Sequence, residues 1–374
     1  AYWTLSSLVL VGLLVYHLVD SKITGKSFRT WLMVLIFVIS LPKVLAAFVI
    51  LLDDVGRFLR WVYSLLFPVV ETATEKSTIP RSEFLAKTSV IAMGLPLVAM
   101  TYGIVSGAHD YRVRRQKLFL PNLPKSFDGI RIAQVSDIHS GSFFNKIAVK
   151  GGVDLLLAEK PDLIFFTGDL VNNRSSEVKD YIDIFDKLKA PLGVYSVTGN
   201  HDYGDYVTWD SQKAKMQNFE DLKAAHKILG WDLLMNENRI LEQSGDKIAI
   251  IGIENWGAKA RFPKYGKMDL AHKGTEEAAV KILLSHDPSH WDAQVIPEYK
   301  DIDLMLAGHT HGMQFGIEIG GIKWSPIQYM YKQWAGMYQN GNQHLYVNRG
   351  YGYLGFPGRV GMLPEITIIE LKTA

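Results

Sequence analysis

The chain has 374 residues, with 40 Lys and Arg against 38 Asp and Glu, a formal net charge of +2 and no cysteine. A charge so near neutrality lacks the basic field that holds a nucleic-acid backbone, so no nucleic-acid partner is expected. The lack of cysteine excludes disulfide bonds and thiolate metal sites.

Long apolar runs crowd the first 108 residues. Residues 2–19 and 88–108 are runs of 18 and 21 residues without Asp, Glu, Lys or Arg, and residues 31–52 are apolar except for Lys43 beside Pro42. Each run is long enough to cross the hydrocarbon core of a bilayer as a helix. The sequence therefore predicts an all-α transmembrane domain over residues 1–108 with about three spans, the second of them kinked.

Other interpretations of these apolar runs, a soluble helical domain or a signal peptide, fit the sequence less well. Three such runs as buried helices of a soluble domain would leave too little polar surface, and a cleaved signal peptide would not recur three times. Residues 57–70 are ambiguous between a continuation of the second helix and an interfacial amphipathic segment. Because the sequence begins at Ala1 rather than Met, a fourth span upstream is a further expectation.

Lys and Arg near the spans predict the orientation. The segment 20–30 and the basic juxtamembrane linker 109–124 are rich in basic residues, whereas residues 53–83 mix both signs. Three spans place the two basic segments on one side, which predicts an integral inner (cytoplasmic) membrane protein with residues 125–374 in the cytoplasm. The lipid bilayer is then an expected partner, and cations in the linker would attract anionic headgroups.

Five short apolar runs in residues 125–374 are typical of buried strands, at 130–135, 163–166, 193–197, 280–284 and 304–306. Each ends at polar residues, which are Asp137 and His139, Asp169, Asn200 and His201, His286, and His309 and His311. A lone His or Asp after a strand is more often a cap or turn residue. Five occurrences in order indicate one site at the carboxyl ends of the strands.

The residue types at these positions limit the chemistry. Mixed imidazole and carboxylate ligands suit Mn, Fe, Zn or Co, whereas an all-oxygen shell would have indicated Mg or Ca. The sequence contains no Gly-x-Ser-x-Gly elbow and no phosphate-binding Gly-x-x-x-x-Gly-Lys loop. The pattern therefore favours metal-dependent hydrolysis without a protein nucleophile.

The ordered motifs Asp-x-His, Gly-Asp, Gly-Asn-His-Asp, His and Gly-His-x-His resemble those of the calcineurin-like metallophosphoesterase superfamily, and the apolar segment resembles that of its membrane-bound bacterial branch. The resemblance implies an α/β fold, a four-layer α-β-β-α sandwich over residues 125–374. It also implies two divalent metal ions, with Mn favoured. The first would be held by Asp137, His139, Asp169 and His311, and the second by Asp169, Asn200, His286 and His309.

The resemblance further implies a mechanism. Two ions about 4 Å apart hold a bridging hydroxide for in-line attack on phosphorus. Asn200 and His201 would be catalytic, with His201 stabilising charge on the phosphoryl and leaving oxygens. One departure concerns Asn172, where the phosphatase branch has an Asp that pairs with this His. An amide does not stabilise an imidazolium as a carboxylate does.

Three residues are expected to contact the substrate, namely Asn172, Arg349 and Arg359. Arginines often bind phosphate, although a solvated Arg is an equally good interpretation. Placement beside a bilayer favours a lipid or lipid-linked phosphodiester or pyrophosphate. Membrane-bound relatives include UDP-2,3-diacylglucosamine pyrophosphatases and phosphodiesterases. Two alternatives stay open, a water-soluble nucleotide or phosphodiester substrate and a non-catalytic metal-binding membrane scaffold. The oligomeric state is not determined by the sequence.

Overall fold

The computed structural model describes residues 2–19, 25–67, 81–259 and 262–374. It divides into two compact units, Ala1–Val105 and Ser106–Ala374. We call them the helical unit and the α/β unit.

The helical unit contains α1 (Tyr2–Leu18), α2 (Lys26–Leu66) and α3 (Arg81–Val105). Two apolar helical segments, Phe28–Leu66 and Glu83–His109, are long enough to cross a membrane, whereas the apolar part of α1 is shorter. Many of their large apolar side chains are exposed, such as Phe48 at 55% and Val98 at 67%. The all-α prediction is confirmed, and a third span remains a prediction.

Helix α2 corrects the expected boundaries. It contains 41 residues and runs through Pro42 and past Asp53 to Leu66, so residues 57–66 continue the second helix and residues 53–66 are not a loop. At 1.5 Å per residue the helix is about 60 Å long, which is roughly twice the hydrocarbon thickness of a bilayer. The segments 20–24 and 68–80, with Lys22 and Lys76, lie outside the described residues, so the orientation remains a prediction.

Helices α1 and α2 pack closely. A Cβ on Gly12 would lie 2.9 Å from Leu32 Cδ1, so the missing side chain lets the helices approach. Lys43 Nζ donates to Ser6 Oγ at 2.7 Å. A lysine in the apolar run of α2 thus has a polar partner on the neighbouring helix, as a charge among spanning helices requires.

The α/β unit contains two six-stranded sheets. The first has the order β1-β14-β2-β3-β4-β5 and the second β12-β13-β9-β8-β7-β6. The first sheet is formed by β1 (Arg112–Leu120), β2 (Arg131–Val135), β3 (Leu163–Thr167), β4 (Val194–Val197), β5 (Asp232–Leu233) and β14 (Glu365–Thr373). The second is formed by β6 (Glu237–Gln243), β7 (Asp246–Gly252), β8 (Val280–Leu284), β9 (Leu304–Ala307), β12 (Gly336–Asn340) and β13 (Gln343–Val347). A separate hairpin pairs β10 (Ile317–Ile319) with β11 (Ile322–Trp324).

Alternating side chains build the layers. In β3, Leu163 and Phe165 face the core between the sheets, where they meet Ile282 and Leu306 of the second sheet. Ile164 and Phe166 face an outer core. The helices of the unit are α4 (Lys146–Ala158), α5 (Ile182–Phe185), α6 (Gln212–Leu229), α7 (Met268–His272) and α8 (Ile296–Glu298). Residues of α4 to α6 cover the first sheet and those of α7 cover the second, so the expected four-layer α-β-β-α sandwich is confirmed.

The expected linker 109–124 is not an extended tether. Residues Arg112–Leu120 form the edge strand β1, which pairs in parallel with β14 from Arg112–Glu365 to Leu120–Thr373. The basic residues are paired as well, because Arg112 contacts Asp110 at 2.5 Å and Arg115 contacts Glu159 at 2.5 Å. The apolar positions Leu118 and Leu120 enter the core between the sheets, which is why this segment folds with the unit.

Candidate metal centre

The polar residues that follow the five strands converge on one place. Parallel strands β2, β3 and β4 of one sheet and β8 and β9 of the other end there. The side chains are buried, with Asp137, His139 and His286 at 0% exposure and Asp169 at 1%. Buried charge at this density needs compensating charge or coordination.

The backbone at these residues is strained. Five of the expected ligands have left-handed φ angles, namely Asp137 (51°), His139 (50°), Asp169 (62°), His309 (70°) and His311 (52°). Residues other than glycine rarely adopt this conformation, and such strain clusters at functional sites. The fold therefore holds these side chains at a conformational cost.

Two motif glycines allow close contact at the centre. A Cβ on Gly199 would lie 2.2 Å from Asp169 Oδ1, and one on Gly308 would lie 2.2 Å from Asp137 Oδ2. Either would overlap a carboxylate. Glycine is therefore required before Asn200 and before His309, because any larger residue would have no room for its Cβ.

One group of ligands contains Asp137, His139 and His311, whose ligand atoms lie within 4.8 Å of one another. His139 Nε2 lies 3.0 Å from His311 Nε2, and His311 Nε2 lies 3.2 Å from Asp137 Oδ1. His139 Nδ1 lies 3.1 Å from Asn172 Oδ1, which accepts its proton and leaves Nε2 free to face the group.

The second group contains Asp137, Asp169 and His286, so it shares Asp137 with the first group, and Asp169 lies beside residues of both. Asp169 Oδ2 lies 3.5 Å from His139 Nε2 and 3.2 Å from His286 Nε2. His286 Nδ1 donates to Thr167 O at 2.7 Å, which directs Nε2 towards the carboxylates. His309 Nδ1 and Asn200 Oδ1 face each other at 2.9 Å. The structure thus brings together all seven expected ligands, with Asp169 between the groups.

Burial and the mutual interactions of the charged groups together set the pKa values in the cluster. Burial raises the pKa of Asp137 to about 6, and the charge of Asp169 adds to this rise. Burial lowers the pKa of His139 to about 3 against the attraction of Asp169. For His286, burial alone would lower the pKa, but Asp169 and Asp137 outweigh it and raise it. The carboxylates therefore stabilise positive charge between them.

These residues fit divalent metal ions. His286 Nε2 is buried and has no hydrogen-bond partner, although it lies 3.2 Å from Asp169 Oδ2. His139 and His311 turn Nε2 atoms towards each other, with their Nδ1 atoms occupied by Asn172 and Arg359. Inward-facing imidazole nitrogens among carboxylates form an N and O donor set suited to Mn, Fe, Zn or Co.

Comparison with known proteins agrees with this chemistry. Residues 1–108 match the family described as "Probable Calcineurin-like phosphoesterase, transmembrane domain", and residues 130–313 match "Calcineurin-like phosphoesterase". The uncharacterized metallophosphoesterase YkuE of Bacillus subtilis is 33% identical over 263 residues, which cover 67% of this chain and 82% of that protein. The chain belongs to the calcineurin-like metallophosphoesterase family.

Two other relatives widen the comparison. A zebrafish "Transmembrane protein with metallophosphoesterase domain" is 30% identical over 295 residues, which cover 76% of this chain and 63% of that protein. This metallophosphoesterase thus spans less than two thirds of the zebrafish relative. The phosphodiesterase YaeI of Escherichia coli is 26% identical over 243 residues, covering 64% of this chain and 82% of that protein. The family match over residues 1–108 and the two apolar helices make this chain a membrane protein.

His201 lies beside the ligands without joining them. Its backbone N donates to Asp169 Oδ1 at 2.8 Å, and its Nδ1 donates to the carbonyl oxygen of Asn172 at 2.8 Å. Its ring lies 4.5 Å from that of Tyr206 and 5.0 Å from that of His139. With Nδ1 occupied, Nε2 is the nitrogen left to meet a substrate.

Asn172 does not lie where a substrate residue was expected. Its side chain is 8% exposed and contacts His139 and the hydroxyl of Ser142, while only its backbone carbonyl reaches His201. The amide thus orients a ligand of the metallophosphoesterase centre. The Asn at position 172, where the phosphatase branch has Asp, therefore has its side chain against His139 and forms no ion pair with His201.

The two arginines expected at the substrate are structural. Arg349 is 2% exposed and contacts Glu365 Oε2 at 2.5 Å and Glu318 Oε1 at 3.1 Å. Arg359 is fully buried and donates to several backbone carbonyls, including those of Gly352 and Met362, and its Nη2 lies 3.1 Å from His311 Nδ1. Burial lowers the pKa of Arg359 to about 10. Neither guanidinium is available for a phosphate, because each is used to hold the fold.

Asp202 is the last residue of the Gly-Asn-His-Asp motif, and its role was not predicted from the sequence. Its buried carboxylate accepts from the backbone N–H groups of Asp169 (2.9 Å), Leu170 (2.9 Å) and Gly199 (2.8 Å). It thereby ties the loop after β3 to the loop after β4. Its position three residues after Gly199 was the available signal, since short acidic side chains often cap such turns.

Tyr331 and Asp287 were also missed. The Tyr331 hydroxyl lies 2.9 Å from His309 Nε2 and donates to Asp287 Oδ2 at 3.5 Å. This contact fixes the ring of His309 with Nδ1 towards Asn200. Nothing in the sequence marked Tyr331, because it lies 22 residues from His309 along the chain.

Proposed function

We propose that this protein is a membrane-anchored phosphoesterase with two divalent metal ions that cleaves a phosphodiester or pyrophosphate bond in a lipid or lipid-linked substrate. The observation that carries the chemistry is the pair of adjoining ligand groups, which share Asp137 and have Asp169 between them, 3.5 Å from His139 and 3.2 Å from His286. Manganese is the metal we expect, with the α/β unit on the cytoplasmic side.

The residues of the centre have two proposed roles, metal binding and stabilisation of charge on the substrate. Asp137, His139, Asp169 and His311 would hold one ion, and Asp169, Asn200, His286 and His309 the other. Such ions activate water and neutralise phosphoryl oxygens. His201 meets the leaving oxygen through Nε2, because its Nδ1 proton is held by the Asn172 carbonyl. The backbone carbonyl is a weaker support for an imidazolium than a carboxylate. We therefore expect His201 to act mainly by hydrogen bonding to developing charge.

A lipid-linked substrate is favoured by the family of the N-terminal region and by its apolar helices. An enzyme held at the bilayer meets substrates confined to that surface. A water-soluble phosphodiester is the alternative, and then the helices serve only as an anchor.

The test uses the full chain in detergent and in lipid nanodiscs. Metal content is measured together with hydrolysis of bis(p-nitrophenyl) phosphate, p-nitrophenyl phosphate and a lipid pyrophosphate. We expect two ions per chain and faster turnover of the lipid pyrophosphate in nanodiscs than of either chromogenic substrate. Turnover of soluble diesters alone would overturn the lipid assignment. Bound metal without any phosphoester hydrolysis would overturn the enzyme and leave a metal-binding scaffold.

A further inference from the structure

The hairpin formed by β10 and β11 has an apolar outer face. Ile317 pairs with Trp324, Glu318 with Lys323, and Ile319 with Ile322. Because side chains alternate along a strand, one face of the hairpin carries only apolar residues, which are Ile317, Ile319, Ile322 and Trp324. The three isoleucines are 51%, 73% and 69% exposed.

The charged face of the hairpin points into the protein. Glu318 accepts from Arg114 at 3.1 and 2.5 Å and from Arg349 at 3.1 Å. Lys323 lies over the ring of Trp334 at 4.8 Å and donates to the carbonyl oxygen of Ala335. A hairpin in water shows the reverse order, with apolar residues inward. Since a one-residue slip would exchange the faces, these ion pairs fix the apolar face outward.

Further exposed apolar residues lie close to the hairpin along the chain. Seven exposed large apolar residues lie between positions 313 and 330, and we call them the apolar ridge: Met313, Phe315, Ile317, Ile319, Ile322, Tyr329 and Met330. The described residues of the α/β unit include 17 exposed large apolar side chains. Seven of these 17 lie within the 18 positions from 313 to 330. A concentration of this kind marks an interaction surface.

The ridge begins close to the point where the chain enters the α/β unit from the last apolar helix. The last apolar helix ends at Val105, and two residues later Gly107 is buried, where a Cβ would lie 2.1 Å from the carbonyl oxygen of Arg359. Val360, the residue after Arg359, accepts a hydrogen bond from Gly316 N at 2.9 Å. It also forms a β-bridge with Phe315 at the base of the hairpin. Two residues reach about 7 Å. The hairpin therefore begins beside the position against which the chain packs two residues after the last apolar helix.

We propose that the apolar ridge inserts into the interfacial region of the same bilayer that the helical unit occupies. The tip is suited to this, because Gly320 and Gly321, with φ of 57° and 87°, form a turn without polar side chains. Apolar residues on a surface element bind the headgroup boundary in this way. The contact holds the loop of His311 at the membrane, since Ser325 Oγ, just after β11, donates to Gly312 O at 2.8 Å.

The experiment exploits the absence of cysteine from the chain. Single reporters are introduced by Ile319→Cys and Ile322→Cys, with Ile228→Cys as the matched control, because Ile228 is 63% exposed on helix α6. Each full-length variant is labelled with an environment-sensitive fluorophore and reconstituted in phosphatidylcholine and phosphatidylglycerol vesicles. Quenching by a nitroxide lipid is compared with quenching by iodide. A thermal unfolding curve for each variant checks the fold.

We expect the ratio of nitroxide to iodide quenching at positions 319 and 322 to exceed that at 228 by about threefold or more. Equal ratios at all three positions would place the ridge in water and overturn the proposal. Protection from both quenchers at 319 and 322 would show that protein, such as a second copy of the chain, covers the ridge, and would overturn it as well. No arm depends on hydrolysis, so the result is independent of the proposed function.

Discussion

The helical unit and the α/β unit use apolar side chains in opposite ways. In the helical unit, side chains such as Phe48 and Val98 are 55% and 67% exposed, whereas every residue of β3 is buried. The polar groups differ too. Lys43 donates to the hydroxyl of Ser6, whereas the α/β unit buries a cluster of carboxylates and imidazoles.

The exposed fraction of an apolar side chain can therefore be interpreted only when the surrounding solvent, water or lipid, is known. Exposed apolar residues suit lipid in one unit and require a partner in the other. The apolar ridge, with Ile319 at 73% exposure, follows the pattern of the helical unit although it belongs to the α/β unit. The buried polar cluster follows neither pattern, and a metal centre explains it.

The strongest test of the contrast removes the charge that lies between the two ligand groups. Asp169→Asn should eliminate bound metal and reduce hydrolysis by at least about 10³-fold, since it takes away the carboxylate that both proposed ions would share. Metal analysis and phosphodiester hydrolysis measure the effect. Asp183→Asn, on an exposed residue of α5, is the control and should change neither. Two ions retained in the Asp169 variant would contradict the shared-ligand assignment.

A second test separates a structural arginine from a substrate-binding one. Arg349→Leu removes the closer of the two arginines that pair with the buried Glu365 and should destabilise the α/β unit by about 3 kcal/mol. Arg239→Leu removes a half-exposed pair with Asp232 and should cost under about 1 kcal/mol. Thermal unfolding in detergent compares the two. If Arg349→Leu instead raised only the KM at unchanged stability, the substrate role would be restored.

The role of His201 gives a smaller effect. His201→Ala should lower kcat by about 10²-fold while both ions stay bound, because its contact with Asp169 is made by the backbone N–H. Steady-state kinetics with metal analysis provide the measurement. His272→Ala, which removes a surface contact with Asp301, serves as the control. Loss of metal in the His201 variant would make it a structural residue of the centre.

The smallest effect is expected at Asn172. Asn172→Ala removes the acceptor for His139 Nδ1 and should weaken metal affinity by about 10–100-fold. Asn172→Asp keeps an acceptor oxygen and should retain the metal. Metal titration of the apo-protein compares the variants. A loss of kcat without a loss of affinity would return Asn172 to the substrate side.

Some of this molecule could be predicted because the signals are local. The five strands appeared as short apolar runs, since both faces of each strand are buried, and the ligands followed them directly in the chain. The edge strand β1 was missed because its basic residues look solvated, and only the folded structure shows that three of them meet Asp110, Glu318 and Glu159.

The sequence predicted two units, a metal-dependent phosphoesterase and the polar residues that meet beyond the strand ends, because these depend on composition and on residues beside strand ends. Tertiary structure decided what distant residues do. It moved Arg349 and Arg359 from substrate to fold, placed Asn172 behind His139, brought Tyr331 to His309, and turned the apolar face of the hairpin outward. Each outcome depends on contacts between residues far apart in the chain, and only packing specifies those.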